Sequence, residues 1–355
     1  MKRKSLEVFL IILYLLITNL KAQPVKEFKI ADMIDETINA NKFYVVGFDN
    51  TSTYLLAVAP IKDVTLKRQN KNYRVFFINL QDDTVQKMDI PMYNIQQVLF
   101  DKDNNKRVFF MGNNLTTLAL IDIQNNSYKE LSKVEYGKDS FRFFGLIWYE
   151  NNDIYTVGYY MDKKQNSTDD FVVKVELYNH KVRFINTGFN VSAFEKKLDP
   201  ITFVFLNHKQ IAFVRKGKNV QELCIVDKNF NPQVIHQAEV FSGLDFSENM
   251  LLYGYKVKED VYFCLYDFTS SKIYKQQKID FYPSYNFISK NSYSIILGDI
   301  KVNPVRMDVF VGKKDEDYVL KKVISDSDIG YIKISKDGKY FCFVPKEGVI
   351  KVFKI

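Results

Sequence analysis

Tryptophan occurs once, and histidine and cysteine three times each, in 355 residues. Each shortage removes a class of chemistry. Cys224, Cys264 and Cys342 are an odd number at long spacings, each inside an apolar run (ELCIVD, VYFCLYDF, KYFCFV). They read as buried free thiols, with neither a disulfide framework nor a zinc pair. A chain of this length builds enough core to do without staples, even outside the cell. His180 and His208 fall in turns and His236 in a strand, so all three read as solvated or structural. There is no G-x-S-x-G elbow and no H-E-x-x-H, which excludes the common serine-hydrolase and zinc-protease designs. We expect neither a metal nor a cofactor.

Long hydrophobic runs are also scarce. One stands at the N-terminus, where Lys2, Arg3 and Lys4 precede an apolar stretch from Val8 to Ile17 and a Leu20-Lys21-Ala22 close before Gln23. That layout predicts a secretory signal over residues 1–22, too short for a bilayer span, and a secreted or periplasmic product. No second run of spanning length follows. Residues 23–355 then form a single domain. Cleavage removes four bases (Lys2, Arg3, Lys4, Lys21) and one acid (Glu7), which takes the formal charge from +8 to +5. Lysines are scattered among Asp and Glu rather than gathered on one face, so nucleic-acid binding is not expected.

What is abundant is aromatic: 30 Phe and 23 Tyr, residues that suit half-buried pleated surfaces. They recur with a period. Seven times an apolar run meets a short polar turn and a second apolar run: FYVVGF-DNTS-TYLLAV, IQQVLF-DKDNNK-RVFFMG, FFGLIWY-ENN-DIYTVGYY, ITFVFL-NHK-QIAFV, FSGLDF-SEN-MLLYGY, YNFI-SKN-SYSIILG and YIKI-SKDG-KYFCFV. The turns are built of residues that favour tight hairpins. The units start at residues 43, 95, 143, 201, 241, 285 and 331, 40 to 58 residues apart. Each except the last is followed by two more strand-like runs. This is the period of a β-propeller with four strands (a to d) per blade. Only 31–40 and 192–198 carry a helical pattern. The last unit ends after its third strand, and Val25 to Ile30 (VKEFKI) supplies a fourth. The expected fold is therefore an all-β propeller of seven four-stranded blades, closed by the N-terminal strand joining the last blade.

The segments Ile334-Ser335-Lys336-Asp337-Gly338-Lys339-Tyr340-Phe341 and Asp245-Phe246-Ser247-Glu248-Asn249 resemble the WD40-like propeller repeats of TolB-type periplasmic proteins. The resemblance is at the level of the repeat, and the Trp-Asp dipeptide of true WD40 repeats is absent. It implies the fold and a habit of binding proteins or small ligands on a ring face.

Connections sort by face. The a-to-b and c-to-d turns read as uniformly short. The long segments are b-to-c (60–72, 161–169, 299–304) and d-to-a (134–140, 188–200), and loops on a rigid scaffold carry recognition. That face holds Lys62, Lys67, Arg68, Lys71, Lys163, Lys164, Lys196 and Lys197. They point to an anionic partner, a protein surface, glycan or other envelope component, interspersed though they are with Asp63, Asp162, Asp169 and Glu195. Trp148, in a channel-side strand, is a core residue or a stacking platform for a sugar or peptide. Asp101, Asp103 and Asn105 resemble a calcium loop but lack its glycine and closing glutamate, so they read as a hairpin turn. Of the a strands, Asp245 is the main acid, beside Gln96, Gln97 and Arg142, which leaves no visible carboxylate pair. The sequence thus predicts a monomeric, non-enzymatic binding or scaffolding protein. The competing expectation is a lactonase- or glycoside-hydrolase-type propeller with its site at the channel mouth.

Overall fold

The computed structural model describes residues 24–39, 42–62, 72–92, 95, 97–101, 103–104, 106–112, 117–133, 140–150, 152–161, 169–178, 181–302, 305–326, 330–344 and 348–355. Of residues 132–133, 140–146, 160–161, 177–178 and 181–182 it describes the backbone only. These residues form seven four-stranded antiparallel sheets, each ordered a-b-c-d. Blade 1 is Tyr44–Phe48, Tyr54–Pro60, Tyr73–Asn79 and Val85–Ile90; blade 2 is Gln97–Phe100, Arg107–Gly112, Thr117–Asp122 and Ser127–Lys133. Blade 3 is Ser140–Glu150, Asp153–Met161, Phe171–Tyr178 and Lys181–Asn190; blade 4 is Pro200–Asn207, Gln210–Lys216, Gln221–Asp227 and Gln233–Ala238. Blade 5 is Val240–Ser247, Met250–Val257, Asp260–Asp267 and Lys272–Ile279; blade 6 is Tyr285–Ile288, Ser294–Val302, Val305–Lys313 and Lys321–Asp326. Blade 7 takes Tyr331–Ile334, Tyr340–Val344 and Val349–Lys354 from the C-terminus, and its outer strand is Lys26–Lys29.

Burial explains why the repeat reads as it does. The b and c strands lie between neighbouring blades, so both of their faces are covered and the sequence runs apolar without alternation; Leu55 to Ala59 are all fully buried. Strand 5d (KIYKQQKI) lies at the rim and is mostly exposed. Seven apolar clusters fill the spaces between blades 1 and 2, 2 and 3, and so on round to 7 and 1. The a strands of neighbouring blades touch, 4a with 5a, 5a with 6a, and 7a with 1a, which puts them around the central channel. The cysteines lie in three of these clusters as free, buried thiols, and burial pushes them up, Cys224 to about 11 and Cys264 and Cys342 to about 12.

At the seam, strand Lys26–Lys29 pairs antiparallel with Val349–Lys354, Lys26 opposite Val352 and Lys29 opposite Val349. Phe28, Ile30 and Met33 join the cluster between blades 7 and 1. The Val45 N–H donates to the Tyr331 hydroxyl across the same boundary.

Several loop expectations need correcting. Residues 299–302 continue strand 6b rather than open a loop, since apolar and branched residues pair on to Val302 opposite Val305. The c-to-d turns are not uniformly short: between 6c and 6d the chain makes a 3-10 turn at Lys314–Glu316 and plugs the fully buried Tyr318 into the space between blades 5 and 6. Gly188 to Asn190 belong to strand 3d, after which Val191–Leu198 is helical. Its start is capped by Asn190, whose side chain accepts from the Ala193 N–H at 2.8 Å, and Val191 and Phe194 face inward. The helical pattern over 31–40 yields only Ile30–Met33. Among the described residues no helix is long and apolar enough to cross a membrane.

Candidate functional site

The a-to-b turns share a local design that determines what faces the channel. Those of blades 1, 6 and 7 open with a Ser or Asp whose side-chain oxygen accepts backbone N–H groups from across the turn. Asp49 accepts from Thr53 N at 2.7 Å and Tyr54 N at 2.8 Å, Ser289 from Ser294 N at 3.0 Å, and Ser335 from Tyr340 N at 2.9 Å. All three are buried. The residue that follows is therefore carried over the channel mouth: Asn50, Lys290 and Lys336, with Glu248 after Ser247 in blade 5.

Neighbouring turns also bind one another. Ser52 donates to Asp337 at 2.9 Å, Asn291 to the Asp337 carbonyl at 3.1 Å, Ser294 to the Gly338 carbonyl at 2.9 Å, and Asn50 to the Asp101 carbonyl at 2.8 Å. Gly338 is needed at its position: its φ is +71°, and an added Cβ would lie 2.7 Å from the hydroxyls of Ser289 and Ser294.

Beneath this ring lies a cavity of about 380 Å³, a size suited to a small ligand. Its lining is largely apolar, with Leu99, Ile147, Trp148, Phe205, Ile288 and Ile334, and it includes Tyr149, Glu248, Lys290 and Lys336. A second hollow of about 320 Å³ shares those last four residues and adds Asn50, Asn291 and Asp337. Lys336 is the unusual group. Burial, together with the like charge of Lys290, pushes its ammonium down to about 8, against a weaker opposing pull from Asp49. Its Nζ donates to Asn50 Oδ1. Among the described residues neither Lys290 nor Lys336 has a carboxylate in ion-pair contact, although Glu248 lines the same two hollows. Asp49 holds its own turn, and Asp337 accepts from Ser335 at 2.7 Å and from Ser52, which keeps it below the usual carboxylate range.

Trp148 is half-buried in an inter-blade column. It stacks on Phe205 at 5.2 Å and on Tyr155 at 6.0 Å, and Tyr155 stacks in turn on His208 at 4.7 Å. His208 closes the column with its Nδ1 2.8 Å from the Glu150 carboxylate. The indole N–H is shielded from water and has no acceptor among the described residues. Deeper in the ring, Asp245 bridges blades 5 and 6: Oδ2 accepts from Ile288 N at 2.7 Å and Oδ1 from Phe246 N at 3.0 Å. Burial raises it to about 7 despite those bonds.

The residues singled out by sequence are dispersed. Lys62 is exposed beyond strand 1b and donates to the Glu36 carbonyl, while Lys196 and Lys197 are exposed in the last helical turn between blades 3 and 4. Lys67, Arg68, Lys71, Lys163 and Lys164 lie outside the described residues, as do Gln96, Asn105 and His180, and of Arg142 only the backbone is described. His236 bonds the Tyr253 hydroxyl at 2.9 Å, and burial lowers it. Asp101 is a turn residue, accepting from Asp103 N at 3.1 Å. Among the described residues no group of three metal-ligating side chains converges. Trp148 alone of the predicted site residues lines the cavity. Lys290, Lys336 and Glu248 were missed, although the repeat carries the signal: each follows the Ser that opens its turn.

No protein-family model and no curated protein sequence matches the chain. Solved structures match it in shape. An uncharacterized protein from Listeria monocytogenes EGD-e superposes with a TM-score of 0.52 at 10% identity, over 94% of this chain and 97% of that one. The WD40 domain of Neurospora crassa Pan2 superposes at 0.51 and 9% identity, over 94% and 95%. Likeness at this identity is one of fold, and the fold is a WD40-like propeller.

Proposed function

We propose that this chain is an exported, non-enzymatic binding module, and that it binds through the channel mouth framed by the a-to-b turns. The observation that carries this reading is Lys336, desolvated beside Lys290 at an apolar cavity; Glu248 shares the mouth, but among the described residues neither lysine is in an ion pair. A desolvated ammonium is costly unless an anion meets it, so the mouth selects negative charge. The broader long-loop face, with Lys62, Lys196 and Lys197, remains available for a larger anionic partner of the envelope.

A channel-mouth lactonase or glycoside hydrolase needs convergent acids with separated roles. Here Asp49, Asp337 and Asp245 each accept backbone or hydroxyl hydrogens that hold turns or blades together. Their geometry supports binding over turnover. The test is a thermal-shift screen of small anions and cations on the secreted protein, with Lys336→Met and Lys290→Met alongside. Anions should raise the melting temperature of the parent and not of the variants. An equal rise in all three, or steady hydrolysis of a lactone or aryl glycoside, would refute the reading.

A further inference from the structure

We propose that the ligand of the mouth is a small amphiphilic acid, a single carboxylate on an apolar tail, with its head between Lys290 and Lys336 and its tail against Trp148, Phe205 and Ile288. The inference rests on the binding reading above and names the class of molecule. Three observations carry it. First, the cavity lining joins Lys290 and Lys336, with Glu248, to a larger set of apolar side chains, so the site is itself amphiphilic. A bare inorganic anion would leave those apolar side chains wet, and a neutral hydrocarbon would leave the ammonium unpaired. Second, the Ser289 and Ser335 side chains that border the cavity are buried and committed to their turns, which leaves the Ser247 hydroxyl as the lining serine without a partner among the described residues, too little polar wall for a sugar. Third, Trp148 and Phe205 line the cavity as a stacked aromatic pair, an apolar wall for a tail.

The molecule contains its own reporter. Trp148 is the lone tryptophan, so indole emission reads this cavity alone. The secreted protein is titrated with decanoate, acetate, inorganic phosphate, 1-decanol and decyltrimethylammonium, all below micellar concentrations. Decanoate should shift the emission saturably, with acetate, phosphate and 1-decanol at least roughly tenfold weaker, since each lacks one half of the match. Decyltrimethylammonium should leave it unchanged. Lys336→Met and Lys290→Met should each weaken decanoate several-fold while keeping the parent emission of the free protein, which verifies the fold. The parent's affinity for decanoate should also fall above pH 8, a dependence lost in Lys336→Met.

If acetate or phosphate matches decanoate and Lys336→Met abolishes the response, the amphiphile is wrong while the binding reading stands. If 1-decanol or the cation matches decanoate, or no anion moves the emission or the melting temperature, both fail.

Discussion

Replacing Lys336 with methionine separates the energetics of the mouth from its function. In the folded chain the amine is pushed down from an ordinary 10.5 to about 8, which corresponds to roughly 3 kcal/mol against the charged form. The side chain keeps part of its hydration, so about half of that is a fair expectation for the charge penalty. Against it stands the hydrogen bond to Asn50 Oδ1, whose loss costs about 1 kcal/mol. Below pH 8 the amine is protonated in both folded and unfolded chains, and the penalty is fully present. Between pH 8 and 10.5 the unfolded chain holds more protons than the folded one, so the parent gains stability as pH rises. Lys336→Met should therefore be more stable than the parent by about 0.5–1 kcal/mol at pH 7. It should become less stable by about 1 kcal/mol above pH 10.5. The assay is thermal or urea unfolding of both proteins across pH 6 to 11, scored as the difference. A difference independent of pH would refute the claim that this ammonium is desolvated.

Asp245→Asn keeps one acceptor but turns an NH2 toward the second N–H, a loss of about 1–2 kcal/mol that roughly cancels the relief of a carboxyl raised to about 7 and charged at a penalty above that pH, so above pH 7 the variant should lie near the parent and at its best relative to it. The folded chain binds more protons than the unfolded one between pH 3.8 and 7, so the variant should fall behind the parent as pH drops through that window, and a constant gap in urea melts would contradict it. Gly338→Ala should cost about 2–3 kcal/mol by forcing both a left-handed residue and the Ser289 and Ser294 hydroxyls; an unchanged melting temperature would mean the turns are not locked together. Deleting residues 25–30 removes the pairing with Val349–Lys354 and the Phe28 and Ile30 contacts, and should lower the melting temperature markedly and raise aggregation by light scattering. If export follows the predicted signal, N-terminal sequencing of secreted protein should begin at Gln23.

The blade count and strand order were legible because each blade sets a short polar turn between two apolar runs, 40 to 58 residues after the last, and because b and c strands, covered on both sides, read as unbroken apolar runs. The capped helix before Pro200 was visible for a similar local reason, its Asn190 cap and inward Val191 and Phe194. The mouth was harder. Lys290 and Lys336 are 46 residues apart in the chain, and nothing in either tripeptide says that one will be buried beside the other. Only superposing the turns shows that the position after Ser289 and Ser335 is one radial position. Loop length misled in the opposite sense, since 299–302 is a continuation of strand, held by pairing that no local pattern of turn residues announces.

The pairing of Lys26 with Val352 has a bearing on biogenesis. Two ends separated by nearly the whole polypeptide must meet before the final blade exists, which makes the last folding step among the most non-local a chain can have. Six blades form from consecutive stretches of chain, but the circle stays incomplete until Val349–Lys354 is present to receive Lys26–Lys29.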